Sequence, residues 1–221
     1  MKQLVVEKNN PEPILWETPV PKPGPGEVLI KNHYSVVSTG TETATIESAN
    51  KSVAKKIQNS SNIEKGLELL EKEGVRAVWN AVFPKNILPI QLGYSSCGKV
   101  VEIGEGVKNF HVGDMVVSNG NHAEYVVVNQ NLCSRIPSET NDKEAAYTVL
   151  GSIALHGLRL SETSLGSRIV VVGLGIVGQL VCRLGEAQGS DVFGIDPDEM
   201  RRGDNKNYFA SINDLPLDEV D

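Results

Sequence analysis

Apolar and polar positions change rhythm several times along the chain. The first part has short apolar runs, Leu4 to Val6 and Val28 to Val37, separated by the punctuated stretch PVPKPGPGEV. Runs of that length between Pro and Gly turns predict strands over residues 2–36. From 44 to 83 the spacing lengthens. Ile57, Ile63, Leu67, Leu70 and Val78 recur at helical intervals with Lys and Glu between them, and Asn62 and Gly74 fit the cap and the stop of a helix starting at Ile63. Short strands return at GKVVEIG, DMVV and AEYVVV, between Gly98 and Cys133, a pattern closer to a small barrel than to an open sheet. After Pro137, the segment Lys143 to Leu160 reads as one helix. SRIVVVG then reads as a buried strand, GIVGQLVCRLGEAQG as a helix and DVFGID as a second strand, which is the order of a βαβ unit. The fold class that follows is α/β: a β-barrel domain over 1–150 with a helical insert near 44–88, then a partial Rossmann domain over 151–221.

The βαβ segment carries the first chemistry. Three valines lead into Gly173-Leu174-Gly175-Ile176-Val177-Gly178, and the second strand ends at Asp196, eighteen positions after Gly178. Between a strand and a helix, that G-x-G-x-x-G spacing predicts a dinucleotide cradle. Gly173 permits the turn, Gly175 the approach of a pyrophosphate, and Gly178 the close packing of helix on strand. The amides from Gly175 through Ile176 and Val177 open the helix whose N-terminus favours phosphate. Asp196 would accept the adenosine ribose hydroxyls and repel a 2′-phosphate, which points to NAD rather than NADP. A glycine-rich turn without a ligand, with Asp196 as a strand-end cap, is the structural alternative.

Composition narrows the field further. The 221 residues carry a net charge of −7 and are 40% hydrophobic. That balance gives no basic surface for nucleic acid. The longest apolar run, Ile169 to Val172, is far too short for a membrane span, and the N-terminus lacks the apolar stretch of a signal peptide. Cys97, Cys133 and Cys182 are widely spaced, which suits a reducing cytoplasm and offers no metal-site pattern.

Taken together, PVPKPGPGEVLIK, the glycine-studded GKVVEIGEGVKNFHVGDMVV, HAEYVVV followed by Ile136-Pro137, and GSIALHGLR resemble the medium-chain dehydrogenase/reductase superfamily. The resemblance implies a GroES-like catalytic domain followed by the Rossmann domain, with Arg201, five positions after Asp196, against the adenosine. STGTE at Ser38 to Glu42, LGYSSCG at Leu92 to Gly98, and NHAEY at Asn121 to Tyr125 further resemble the N-terminal module of bi-domain oxidoreductases from bacterial surface-polysaccharide gene clusters. That resemblance implies a small-molecule substrate of sugar type. It also implies a partner in the form of a second oxidoreductase module or another copy of the chain.

The departures from the family pattern matter as much. Zinc enzymes of the superfamily place a Cys before a Thr-Asp pair and a Gly-His-Glu later. Here the first position reads Ser38-Thr39-Gly40-Thr41-Glu42 and the second Gly93-Tyr94-Ser95, and the four-cysteine lobe is missing after Val117. Tyr and Ser are poor zinc ligands, so no metal is expected. Tyr94, Ser38 and Thr39 are then the candidate proton or hydrogen-bond donors, with Glu42 orienting them. The alternative is that all four fill a vacated pocket. His122 is expected to line the cleft rather than catalyse, His156 to be a packed helix histidine, and Cys97 to be a buried apolar residue rather than a nucleophile.

NYFASIN resembles a third Rossmann strand and LPLDEVD the approach to a fourth. A complete domain of this type has about six strands, so the chain reads as a fragment, a truncated product or half of an assembly, with little dehydrogenase activity by itself. Three functions compete: an NAD-dependent, zinc-free oxidoreductase of a sugar or polyol; a non-catalytic remnant or subunit that keeps nucleotide binding; and an NADPH-dependent enone or quinone reductase, which Asp196 disfavours.

Overall fold

In the computed structural model, residues 1–7, 10, 12–50 and 89–216 are described. The first half is built from β1 (Lys2–Val6), β2 (Ile14–Glu17), β3 (Glu27–Ser35), α1 (Thr39–Asn50), β4 (Ile90–Gln91), β5 (Ser96–Ile103), β6 (Met115–Ser118), β7 (Tyr125–Asn129) and β8 (Cys133–Arg135). Five strands pair antiparallel in the order β7-β3-β5-β6-β8, and three more in the order β2-β1-β4. A bridge between Gln3 and Ala123 joins the two sheets. Alternating residues of the larger sheet, Val28, Ile30, Val100, Val116, Val126 and Val128, meet Phe110 in one buried cluster. Register shifts at Leu29/Ile30 and Asn32/Tyr34 interrupt the β3–β5 pairing, and such bulges bend a sheet and increase its twist.

The Pro-Gly stretch acts as a docking turn rather than a spacer. The Gly26 amide donates to the Glu105 carbonyl (2.7 Å), and the Gly104 amide to that of Glu27 (2.8 Å). Asp114 closes the next turn by accepting the His111 amide (2.9 Å) and Arg135 Nε (3.0 Å). The amide, more than the guanidinium, holds its carboxyl below the usual carboxylate range. The helix expected from Ile63 to Gly74 lies outside the described residues. Helical structure begins earlier than the insert expected near 44–88, because α1 already starts at Thr39, inside the STGTE stretch.

The second half contains α2 (Asp142–Ala145), α3 (Thr148–Leu160), β9 (Arg168–Val172), α4 (Ile176–Ala187), β10 (Asp191–Ile195), α5 (Glu199–Arg202) and β11 (Tyr208–Phe209). The strands form a parallel sheet in the order β11-β10-β9. NYFASIN therefore supplies a third strand, while the LPLDEVD segment lies largely outside the described residues. The single helix expected from Lys143 to Leu160 is instead two. Thr148 Oγ1 takes the Ala145 carbonyl (2.7 Å) and Ser95 Oγ the Ala146 carbonyl (2.6 Å), acceptors that later helix amides would otherwise use.

Helix α3 belongs to two cores at once. Leu150 is fully buried with Val36, Cys97 and Val117 of the barrel side, whereas Leu158 packs with Ile169, Val171, Leu174, Cys182 and Val192 around the parallel sheet. Its buried stripe, Leu150, Ala154 and Leu158, has the i, i+4, i+8 spacing of one helix face. His156 falls off that stripe and is exposed, contrary to its expected packed role. Leu150→Ala is expected to cost about 2–5 kcal/mol, the range for truncating a fully buried leucine. Urea unfolding followed by circular dichroism measures it.

Candidate active site

The dinucleotide loop has the geometry its glycines demand. Gly173 leaves β9 with φ +93°, and a Cβ on Gly178 would lie 1.8 Å from the Gly173 carbonyl oxygen. Only glycine allows α4 to start so close to the strand. A Cβ on Gly175, by contrast, would meet nothing within 4 Å, so the mouth of the loop is open to a ligand. Gly175 caps α4 without a side-chain hydrogen bond, which leaves the first-turn amides and the positive helix end to an anion. Ile176 and Val177 turn their side chains toward the barrel-side cluster, so only their amides are suited to a phosphate. These residues fit a dinucleotide.

Asp196 is 3% exposed. One carboxylate oxygen, Oδ2, accepts the Leu174 amide inside the glycine loop (2.8 Å) and Arg201 Nη1 (3.4 Å). The other, Oδ1, accepts the Asp198 amide (2.9 Å). The Asp198 and Leu174 amides hold its carboxyl below the ordinary range, with a smaller part from Arg201. Its position at the end of β10 is the expected one, and the structure adds a tether from β10 to the glycine loop. Arg201 is half exposed and also reaches Asp198 (3.4 Å).

The second cluster sits where α1 leaves the barrel. Ser38 is 8% exposed, and its amide donates to Glu42 Oε1 (2.9 Å), so Glu42 reaches back to the start of its own helix. The same oxygen lies 3.0 Å from His122 Nε2, with both side chains more than nine-tenths buried. His122 Nδ1 lies 2.8 Å from Ser35 Oγ. The Tyr94 hydroxyl is 3.2 Å from Thr41 Oγ1. Gly93 has φ +89°, and a Cβ there would lie 2.7 Å from the His122 ring. Its neighbour Ser95 is buried and spent on the Ala146 carbonyl.

Of the four residues singled out in the sequence, Tyr94, Ser38 and Glu42 thus share one region, Ser38 through its amide. Thr39 is exposed on the first turn of α1. The cluster draws in two residues that sequence reasoning undervalued. The sequence marks His122 for cleft lining and gives Thr41 no role; the NHAEY and STGTE motifs contain both, without a cue to their pairing. Cys97 is fully buried with its thiol on the Asp142 carbonyl (2.9 Å), and burial pushes its pKa up to about 11, which suits an inert side chain. Among the described residues, no group of three or more His, Cys, Asp or Glu side chains could hold a metal ion. Tyr94 packs on the same buried cluster as Ile176, Val177 and Leu180 of α4, so the hydroxyl-bearing region and the glycine loop meet at one junction.

Residues 70–138 match the family described as alcohol dehydrogenase GroES-like domain. The chain is 28% identical over 154 residues to a (R,R)-butanediol dehydrogenase of Bacillus subtilis (strain 168), an alignment covering 57% of this chain and 44% of the relative. It is 33% identical over 111 residues to a D-guloside 3-dehydrogenase of Escherichia coli (strain K12), covering 48% and 32%. The quinone oxidoreductase of Coxiella burnetii superposes with a TM-score of 0.67 at 24% identity over 89% of this chain and 56% of that one. These matches support the medium-chain dehydrogenase/reductase superfamily. A GroES-like barrel leads into Rossmann strands, as the sequence implied. The matched stretches span less than half the length of these curated relatives.

The amides on Asp196 are positioned by folding, so its folded pKa lies below its unfolded value of about 3.9. Its stabilising contribution is complete above the unfolded value and is lost as pH falls through the folded one. Asp196→Asn is therefore expected to lose less stability than the unmutated chain between about pH 5 and about pH 3, as read by urea unfolding at both values.

Proposed function

We propose that this chain is the NAD-binding, zinc-free catalytic module of an oxidoreductase that interconverts an alcohol and a ketone on a sugar or polyol. Residues 1–150 are the catalytic domain in this reading and 151–221 the cofactor-binding part. The observation that carries it is the junction itself, where Tyr94 and the first turn of α4 share one buried cluster. A bound nicotinamide dinucleotide supplies the two-electron acceptor or donor. The chain supplies the rest. Gly173, Gly175 and Gly178, with the amides of Ile176 and Val177, hold the pyrophosphate. Asp196 takes the ribose hydroxyls with its remaining acceptor capacity, since a carboxylate has about four lone-pair sites and three donors are recorded on it. Arg201 lies on the adenosine side.

At the reacting end, hydroxyls stand where zinc enzymes of the superfamily place ligands. One hydroxyl of the Tyr94–Thr41 pair donates to a carbonyl oxygen while the other donates to its partner, Ser38 and Thr39 line the approach, and Glu42 fixes the start of α1. Loss of the ligands supports the zinc-free reading: Tyr94 is engaged with Thr41, and Ser95 is buried on a backbone carbonyl. The names of the butanediol and guloside dehydrogenases support an alcohol or sugar substrate. The likeness of STGTE, LGYSSCG and NHAEY to polysaccharide-cluster enzymes supports a sugar substrate in the cytoplasm, alongside a second oxidoreductase module or another copy of the chain. Among the described residues, no helix is long and apolar enough to cross a membrane.

The deciding experiment titrates NADH and NADPH against the purified chain and assays NAD reduction with a panel of sugars and polyols. Tighter NADH binding is expected, and Asp196→Ser should narrow the preference roughly tenfold, the scale of one charged hydrogen bond or repulsion. Equal affinities in the unmutated chain would overturn the NAD assignment. Elemental analysis of protein purified without chelator is expected to find zinc far below one per chain; stoichiometric zinc would overturn the zinc-free reading.

A further inference from the structure

The Ser35–His122–Glu42 alignment is not used by the donors named above. Glu42 and His122 side chains are 9% and 8% exposed and lie 3.0 Å apart, while Ser35 at the end of β3 is exposed, its Oγ 2.8 Å from His122 Nδ1. The row therefore runs from a surface hydroxyl through an imidazole to a buried carboxylate. We propose that these three residues are a proton relay for the alcohol–ketone reaction, an inference that rests on the oxidoreductase reading.

The direction of the relay follows from the donors and acceptors. An ionised Glu42 can only accept, so His122 Nε2 carries a hydrogen. In neutral imidazole the other nitrogen, Nδ1, is then an acceptor, and the Ser35 hydroxyl donates to it. That leaves the Ser35 lone pairs facing outward, ready for the O–H of an alcohol. In oxidation the alcohol O–H bond breaks and its proton passes to Ser35 Oγ as the Ser35 proton passes to His122 Nδ1. The products of the transfer are an intact serine and an imidazolium held by Glu42. Reduction runs the same transfers backwards and delivers one proton to the carbonyl oxygen.

Three features keep the row in place. The Ser38 amide shares Glu42 Oε1 and stops the carboxylate from turning away (2.9 Å). The His122 amide donates to the Leu92 carbonyl, and its carbonyl accepts the Leu4 amide, so the histidine backbone is tied to both β1 and the strand-β4 connection (2.8 Å each). Gly93 gives the ring room that any side chain would fill. The neighbouring acid, Glu124, is directed away, onto the Lys2 amide (2.7 Å). Thr41 and Tyr94, beside Glu42 and Gly93 in the chain, form a separate hydroxyl pair.

The test uses the full chain labelled with ¹⁵N-histidine, with His122→Gln assigning the resonance and NADH and D-sorbitol as probes. At slightly alkaline pH the His122 signal is expected to show hydrogen on Nε2 and an accepting Nδ1. Adding NADH with sorbitol should move the Nδ1 signal in the unmutated chain and leave it unmoved in Ser35→Ala. In the NAD-reduction assay, Ser35→Ala and His122→Gln should lower kcat about tenfold or more and alter its pH profile, the range of general acid–base catalysis. Their NADH affinity should stay within about twofold, and Ser35→Thr, which keeps the hydroxyl, should restore kcat. A hydrogen on Nδ1 instead of Nε2, or a Ser35→Ala chain that binds NADH and keeps both kcat and pH profile, would overturn the relay and leave the oxidoreductase reading standing. Failure of the unmutated chain to bind NADH would overturn that reading instead.

Discussion

Burying a carboxylate is costly unless hydrogen-bond donors meet its oxygens. Among the described residues two carboxylates, Glu42 and Asp196, are almost wholly buried, and backbone amides meet both. Each amide belongs to a segment that has to be held still. Glu42 ties the Ser38 amide at the start of α1 and, through His122, the loop that precedes β7. Asp196 ties the Leu174 amide in the middle of the glycine loop to the end of β10. The requirement that a buried charge be satisfied thereby fixes the local geometry of both halves of the site. Removing either carboxylate would orphan donors as well as delete an acid, which is the costlier side of a hydrogen-bond change.

The two halves meet because α3 serves two cores. Its first turns pack Leu150 into the barrel-side cluster, and its later turns pack Leu158 onto the parallel sheet. A close-packed helix transmits position with little slack. The same cluster at Leu150 also receives Tyr94 from the barrel and Ile176, Val177 and Leu180 from α4. The Tyr94 hydroxyl and the helix that opens at the glycine loop are therefore referred to one set of buried side chains.

Hydroxyl and imidazole groups impose different requirements from a metal centre. A metal polarises an oxygen through its charge, whereas a proton donor needs a hydrogen-bond path along which the proton can be returned. Thr41 and Glu42 are consecutive residues at the start of α1, and their partners Tyr94 and His122 come from two separate segments. The geometry is that of paired donors and acceptors, each 2.8–3.2 Å apart.

Local patterns in the sequence determined most of the fold and one half of the site. The glycine loop is legible because backbone geometry restricts residue choice: φ +93° at Gly173 and the contact at Gly178 exclude a Cβ, so the spacing itself records the structure. The barrel strands, the βαβ order and the position of Asp196 are likewise written in short-range periodicity. The break between α2 and α3 was not legible, because the donor that takes the Ala146 carbonyl is Ser95, 51 residues away. The exposure of His156 depended on which face of α3 found a partner. The Ser35–His122–Glu42 row joins β3, α1 and the loop before β7, across 87 and 80 positions of sequence. Nothing in the spacing of those residues specifies their contact. Only the closure of the barrel and the entry angle of α1 bring them within hydrogen-bond distance, since a side-chain pair of that separation is decided by packing rather than by local backbone preference.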